Sequence, residues 1–270
     1  CHMNDTTIEV YGVPWDEKSS FMRGCRDAPA KIWDAFNCES ANRCTESGLS
    51  LVKPEVLSYR GMLELSSGEQ AIQEIERAAS EIGAAKPLPI FLGGDHAITY
   101  PLVKGLHKTY PTLNILHFDA HPDLYNEIHG DRFSHGCPMA RIMEEQLALR
   151  LVSVGIRTMT PHQRSQAEKF GVEIIDMINF EPGSPLIFDG PLYVSLDLDV
   201  LDPAFVPGIS HHEPGGMSTR ELLKTIQNVR GTIIGADIVE YNPYRDLQNM
   251  TSMVAAKLMK ELAAKMLDQS

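Results

Sequence analysis

The chain has 270 residues, 43% of them hydrophobic and 22% charged, which suits a folded globular protein and excludes wholesale disorder or a low-complexity array. Its 36 acidic against 24 basic side chains leave a net charge of −12, a balance that repels phosphate backbones and argues against nucleic acid as a partner. No apolar run approaches the ~20 residues of a membrane-spanning helix, and the five cysteines form no C-x-x-C pair, so neither a membrane span nor a disulfide framework is expected.

Free thiols point to a reducing compartment, and the expected location is cytoplasmic. Cys1-His2-Met3 reads as an extraneous leader ahead of a natural start, leaving one domain over residues 4–270 with no linker or repeat to divide it.

In chain order, the first apolar run predicts a strand at 8–13, and residues 37–50, with Cys38, Asn42, Cys44, Ser47 and Gly48, read as a long irregular loop. Ala71, Ile72, Ile75, Ala78, Ala79 and Ile82 recur at three-to-four spacing, which predicts an amphipathic helix. Strands follow at 89–92, 113–118 and 151–154, with weaker helical patterns at 100–108, 137–148 and 161–170. After a strand at 192–198, Ser218-Thr219-Arg220-Glu221 forms a capping-box pattern ahead of a helical face of Leu222, Leu223, Ile226 and Val229. A last strand at 232–238 precedes a helix over 251–267. Strands alternating with helices imply a mainly parallel sheet covered on both faces, an α/β/α layering.

The densest polar signal lies where the strands end. The run Leu113–Phe118 leads into Asp119-Ala120-His121-Pro122-Asp123, the run 192–196 into Asp197-Leu198-Asp199, and the run 89–92 into Gly93-Gly94-Asp95-His96. Side chains two residues apart in an extended chain share a face, so Asp119 with His121, and Asp197 with Asp199, can converge. Ligands of open parallel sheets sit beyond the carboxyl ends of the strands. A lone D-x-D or H-x-D is more often a turn or a cap than a ligand, but three such groups, each following a strand, are another matter. Buried together without compensation, these carboxylates would repel one another, and divalent cations remove that cost. A carboxylate-rich, histidine-containing set without thiolate suits Mn2+ better than structural Zn2+, and bridging carboxylates would let six ligands serve two ions.

These residues carry a family resemblance. Gly93-Gly94-Asp95-His96, Asp119-Ala120-His121-Pro122-Asp123, Ser195-Leu196-Asp197-Leu198-Asp199 and the block from Gly235 to Pro243 resemble the signature blocks of the ureohydrolases, the arginase and agmatinase family. The resemblance extends from Gly12-Val13-Pro14 to the final helix. The stretches from Ser134 to Glu144 and from Pro207 to Gly216 are most similar to plant-type arginases, some of which also accept agmatine.

The resemblance implies a three-layer α/β/α sandwich around an eight-stranded, mostly parallel sheet, assembled as a homotrimer or homohexamer. It implies two Mn2+ per subunit, one held by His96, Asp119, Asp123 and Asp197 and the other by Asp119, His121, Asp197 and Asp199. Asp119 and Asp197 would bridge, which places Asp119 among the catalytic residues. The implied activity is hydrolysis of L-arginine to urea and L-ornithine. The runner-up is cleavage of agmatine to putrescine and urea, or of guanidinobutyrate or guanidine.

A guanidinium carbon is a poor electrophile, so attack on it needs an activated water, and the departing amine needs a proton. His135, whose imidazole titrates near working pH, is the candidate shuttle, and the family resemblance points to the same residue. Glu240 would receive the planar guanidinium through charge-assisted hydrogen bonds. The loop 124–134 is expected to supply further substrate contacts through Tyr125, Asn126 and Ser134. His211 is expected as a further contact; Ser210-His211-His212 stands where arginases and agmatinases commonly show Gly-Thr-Pro, similar to the Ser-His start of plant-type proteins.

Neighbouring residues take plainer roles. His117 reads as a hydrogen-bonded core histidine, Asp95 and Asp202 as turn-fixing residues, Asp237 as a support behind the ligands, and Cys137 as packing. A noncatalytic metal-stabilised protein would need neither His135 nor Glu240, and amide deacetylases on related folds usually hold one metal.

Overall fold

Among the described residues, fifteen α-helices and strands follow one another, alternating except where β6 leads into β7: β1 (Ile8–Val13), α1 (Ala28–Asn37), β2 (Leu57–Met62), α2 (Glu69–Ala85), β3 (Leu88–Gly93), α3 (Thr99–His107), β4 (Asn114–Phe118), α4 (Pro138–Glu144), β5 (Arg150–Ile156), α5 (Pro161–Phe170), β6 (Glu173–Asp176), β7 (Leu186–Asp197), α6 (Thr219–Gln227), β8 (Val229–Val239) and α7 (Met250–Leu267). The structure, a computed structural model, describes residues 7–268, so Cys1-His2-Met3 lies outside the described residues. No helix among the described residues is long and apolar enough to cross a membrane.

The strands form one eight-stranded sheet in the order β2-β1-β3-β8-β7-β4-β5-β6, parallel at every pairing. Every residue of β3 and of β4 is buried, as continuous apolar runs in a sheet covered on both faces require. Side chains alternate between the two faces: Ile90 and Leu92 pack with α1, α6 and α7 through Ile32, Leu222 and Leu258, whereas Phe91 packs with α2, α3 and α4 through Ile75, Leu102 and Met139. This is the three-layer sandwich expected.

The chain builds β1 to β3 on one side, crosses to build β4 to β6 on the other, and returns to insert β7 and β8 between them. The carboxyl ends of β3, β8, β7 and β4 are therefore neighbours at the point where the winding reverses, the place where open α/β sheets leave a crevice.

Differences from the sequence expectation fall at edges and ends. β2 and β6 are the two outer strands and are only partly buried, so neither presents an apolar run. The helix begun at Ser218 stops at Gln227, and Val229 opens β8 instead of extending the helical face. Its capping box is present: the Ser218 hydroxyl accepts from Glu221 N at 3.2 Å, and the Glu221 carboxylate accepts from Ser218 N at 2.8 Å. α4 covers only part of 137–148. Residues 38–56 form no helix or strand apart from an isolated Cys44–Ser50 bridge, in keeping with the irregular loop.

Candidate active site

The turn after β3 is fixed by close backbone approach. A Cβ on Gly94 would lie 1.7 Å from the Trp15 carbonyl oxygen, so only glycine fits there. The buried Asp95 carboxylate caps the following turn by accepting from Ala97 N at 3.0 Å, and it also accepts from Lys18 N at 3.0 Å and the Ser19 hydroxyl at 3.1 Å. Asp202 does similar work, accepting from the backbone N–H groups of Ala204 and Gly215.

His96 is oriented from behind. The Ser195 hydroxyl donates to Asp237 Oδ1 at 2.8 Å, so it accepts from His96 Nε2 across their 3.0 Å contact. Thr99 and Tyr193 donate to the other Asp237 oxygen at 2.9 and 2.8 Å, which gives Asp237 its supporting place. Nδ1 of the fully buried His96 then faces Asp119, Asp123 and Asp197 at 3.1, 3.0 and 3.2 Å, yet makes no hydrogen bond with adequate geometry.

The other donors converge on the same point. Asp119 touches His117 Nε2 at 2.9 Å and accepts from His121 N. His121 Nδ1 lies 2.9 Å from Asp199 and 3.4 Å from Asp119. Asp199 N donates to Asp197 Oδ1 at 2.8 Å, and Ala120 N donates to Asp199 Oδ1 at 2.9 Å, locking the ends of β4 and β7 together. All six residues named as ligands thus surround one crevice. His117 stays in the core, with its Nδ1 3.0 Å from the Ser153 hydroxyl.

The electrostatics show a surplus of carboxylate. Burial, then Asp199 and Asp119, pushes Asp197 well above the usual range, and burial with Asp119 raises Asp199 to about 6. Burial opposes charge on His96, yet the Asp119, Asp123 and Asp197 carboxylates facing its Nδ1 raise it well above its ordinary value. The cluster cannot ionise fully without added positive charge. Buried carboxylates and imidazoles without thiolate, around an orphaned imidazole nitrogen, fit a divalent cation.

Beside this cluster stands a second group. Glu240 follows β8 with a left-handed φ of 68°. Its Oε1 accepts from His96 N at 2.8 Å and lies 3.0 Å from His135 Nδ1, while Cys25 Sγ sits 3.7 Å from Oε2. Burial pushes Glu240 up, but the His135 charge and hydrogen bond and the His96 amide outweigh it and hold the carboxyl at about 2. Burial likewise opposes protonation of His135, but Glu240 raises it to about 9. His135 Nε2 lies 2.7 Å from the Ser20 hydroxyl, and its ring centroid is 5.0 Å from that of His211. Burial lowers the pKa of His211.

A cavity of about 130 Å³ connects the two groups, lined by His121, Asp123, Tyr125, His135, Asp197, Asp199, His211 and Glu240, with Ser20, Ile128, Gly136, Gln163 and Ile209 completing the wall. Tyr125 and His211 therefore lie where substrate contacts were expected. Asn126 and Ser134 do not: the Asn126 side-chain oxygen accepts from Arg132 at 2.7 Å and Arg141 at 3.3 Å, and the Ser134 hydroxyl donates to the Lys18 carbonyl at 3.4 Å. Ser20 and Gln163 were missed because neither belongs to a polar motif at a strand end. Gln163 reads locally as the partner of Thr160 in the capping box of α5.

Residues 6–264 match the family model described as Arginase family. The chain belongs to the arginase family. Over 277 residues it is 43% identical to a mitochondrial arginase of Medicago truncatula, covering 96% of this chain and 82% of that protein. The solved structure of arginase from Medicago truncatula superposes with a TM-score of 0.92 at 40% identity, covering 97% of this chain and 88% of that one. An agmatinase of Bacillus cereus is 31% identical over 267 residues, covering 96% of this chain and 91% of that protein.

This arginase-family chain is accordingly a ureohydrolase, a metal-dependent class for which the clustered donors are candidate ligands. The cytoplasmic expectation is corrected by its relatives, since these plant arginases carry mitochondrial or chloroplastic names. Free thiols mark a reducing surrounding, not a particular compartment, so cysteine usage had no power to choose the cytoplasm.

Proposed function

We propose that this arginase-family enzyme hydrolyses L-arginine to urea and L-ornithine with two Mn2+ per subunit. The observation that supports this most is the meeting, in one crevice, of six ligand-type side chains with the His135–Glu240 pair. His96, Asp119, Asp123 and Asp197 would hold one ion, and Asp119, His121, Asp197 and Asp199 the other. When bound, the ions neutralise the carboxylates, lower the pKa of water at the site and stabilise negative charge developing on oxygen.

The protein's own groups do the rest. Glu240 is ionised and buried, and among the described residues its Oε2 takes a hydrogen bond from the Cys25 thiol alone, so it offers a charge-assisted acceptor to a guanidinium N–H. That contact fixes the plane of the headgroup beside the metal-ligand cluster. His135, held protonated near neutral pH by Glu240, is a general acid whose Nε2 proton, shared with the Ser20 hydroxyl, can pass to the departing amine. Tyr125 and His211 bound the space for the rest of the substrate. A single catalytic domain over 4–270 that assembles as a homotrimer or homohexamer is what the motif resemblance implies.

One observation favours agmatine as a second reading: no lysine or arginine lines the described cavity, so no basic side chain there answers an α-carboxylate. Urea release from L-arginine, agmatine, guanidinobutyrate and guanidine by manganese-loaded enzyme separates the two. L-Arginine is expected to show the highest kcat/KM; a higher value for agmatine would replace it as the substrate.

A further inference from the structure

The group formed by His135, His211 and Glu240 shares no residue with the six carboxylate and imidazole ligands beside it in the crevice. We propose that these three residues form a third cation site, which takes a borderline divalent ion such as Zn2+ and excludes the guanidinium headgroup while occupied. The competition with substrate rests on the functional reading above; the site itself rests on geometry.

One ligand atom from each of the three residues lies within 4.8 Å of the other two. His135 Nδ1 and Glu240 Oε1 are already 3.0 Å apart, and the two imidazole rings lie 5.0 Å apart at their centroids. All three line the same cavity, so an ion can reach them from solvent by the path the substrate takes. Two imidazoles and one carboxylate, with a fourth position left open, form a donor set well suited to zinc. Such a set is softer than the aspartate-rich cluster beside it, which gives the two sites different preferences.

Glu240 is the pivot. It is buried, and a buried carboxylate needs a cationic partner. His135 meets that need in the resting enzyme, the guanidinium meets it in the substrate complex, and Zn2+ would meet it in an inhibited form. Zinc requires neutral imidazoles. Zinc binding therefore displaces any proton held between His135 Nδ1 and Glu240 Oε1, which lie 3.0 Å apart.

The test uses manganese-loaded enzyme in excess Mn2+. Equilibrium dialysis against ZnCl2, with both metals counted per subunit, is run beside initial rates at several L-arginine concentrations. The site predicts that about one zinc is gained with manganese retained, that inhibition is competitive, and that His211→Asn and His211→Ala each weaken zinc binding at least about tenfold with manganese content kept. Zinc gained only as manganese is lost, or variants that bind zinc as tightly as the parent, would overturn it. If no guanidino compound is hydrolysed, the functional reading fails, while the metal counts still decide whether the site exists.

Discussion

At the face formed by α6, α7 and the loop before β2, the Glu46 carboxylate receives both arms of Arg220 at 2.8 Å, and Lys257 lies 2.6 Å from Glu261 and 3.4 Å from Glu46. Two carboxylates there meet two cations, and hydrogen bonds from Arg220 hold Glu46 at about 2. At the carboxyl edge of the central strands, Asp119, Asp123, Asp197 and Asp199 face imidazoles, and among the described residues none of the four pairs with lysine or arginine. The first cluster neutralises itself and serves as a cross-link. The second holds burial and repulsion in place, an arrangement that folding alone does not favour and a bound cation does.

The largest predicted effect tests that contrast where it is strongest. Asp119→Ala should lower urea release by at least roughly a thousandfold and reduce manganese content, measured together on purified protein. His135→Ala comes next, with a loss of about 10²- to 10⁴-fold in turnover at unchanged manganese content; equal loss of both would make His135 structural.

The same pair gives a signature in pH. In metal-free protein, His135 has a folded pKa raised to about 9, so its stabilising share is complete below the ordinary imidazole value and fades as pH rises through about 9. Glu240, depressed to about 2, contributes above the ordinary carboxylate value and is lost as pH falls through about 2. A Tm profile of metal-free protein should lose the part of its alkaline decline that ends near pH 9 in His135→Asn, while the raised His96 and His121 keep a decline of their own.

Asp237→Asn should weaken manganese binding by about 10- to 100-fold through looser orientation of His96, with a smaller effect on turnover at saturating Mn2+. The smallest effect belongs to the balanced cluster. Arg220→Ala should lower Tm slightly and leave urea release unchanged, because an exposed ion pair contributes little.

What the sequence disclosed follows from how each residue is constrained. Apolar runs such as those of β3 and β4 were legible because both faces are buried, whereas β2 and β6, half exposed at the sheet edges, were not. The six ligand-type residues were legible because they follow strands in a fixed rhythm. Tyr125 and Asn126 illustrate the limit: the two are adjacent, yet one lines the cavity while the other is held by Arg132 and Arg141. Ser20 and Cys25 reach His135 and Glu240 across more than a hundred residues of chain, a proximity that no local pattern records.

The most direct measurement of the central claim is a titration of metal-free protein with Mn2+, following bound metal per subunit and urea release from L-arginine in the same samples. The predicted result is no turnover without metal, followed by activity that rises as two equivalents bind. Undiminished turnover in the metal-free protein, or saturation of activity with no stoichiometric uptake, would contradict it.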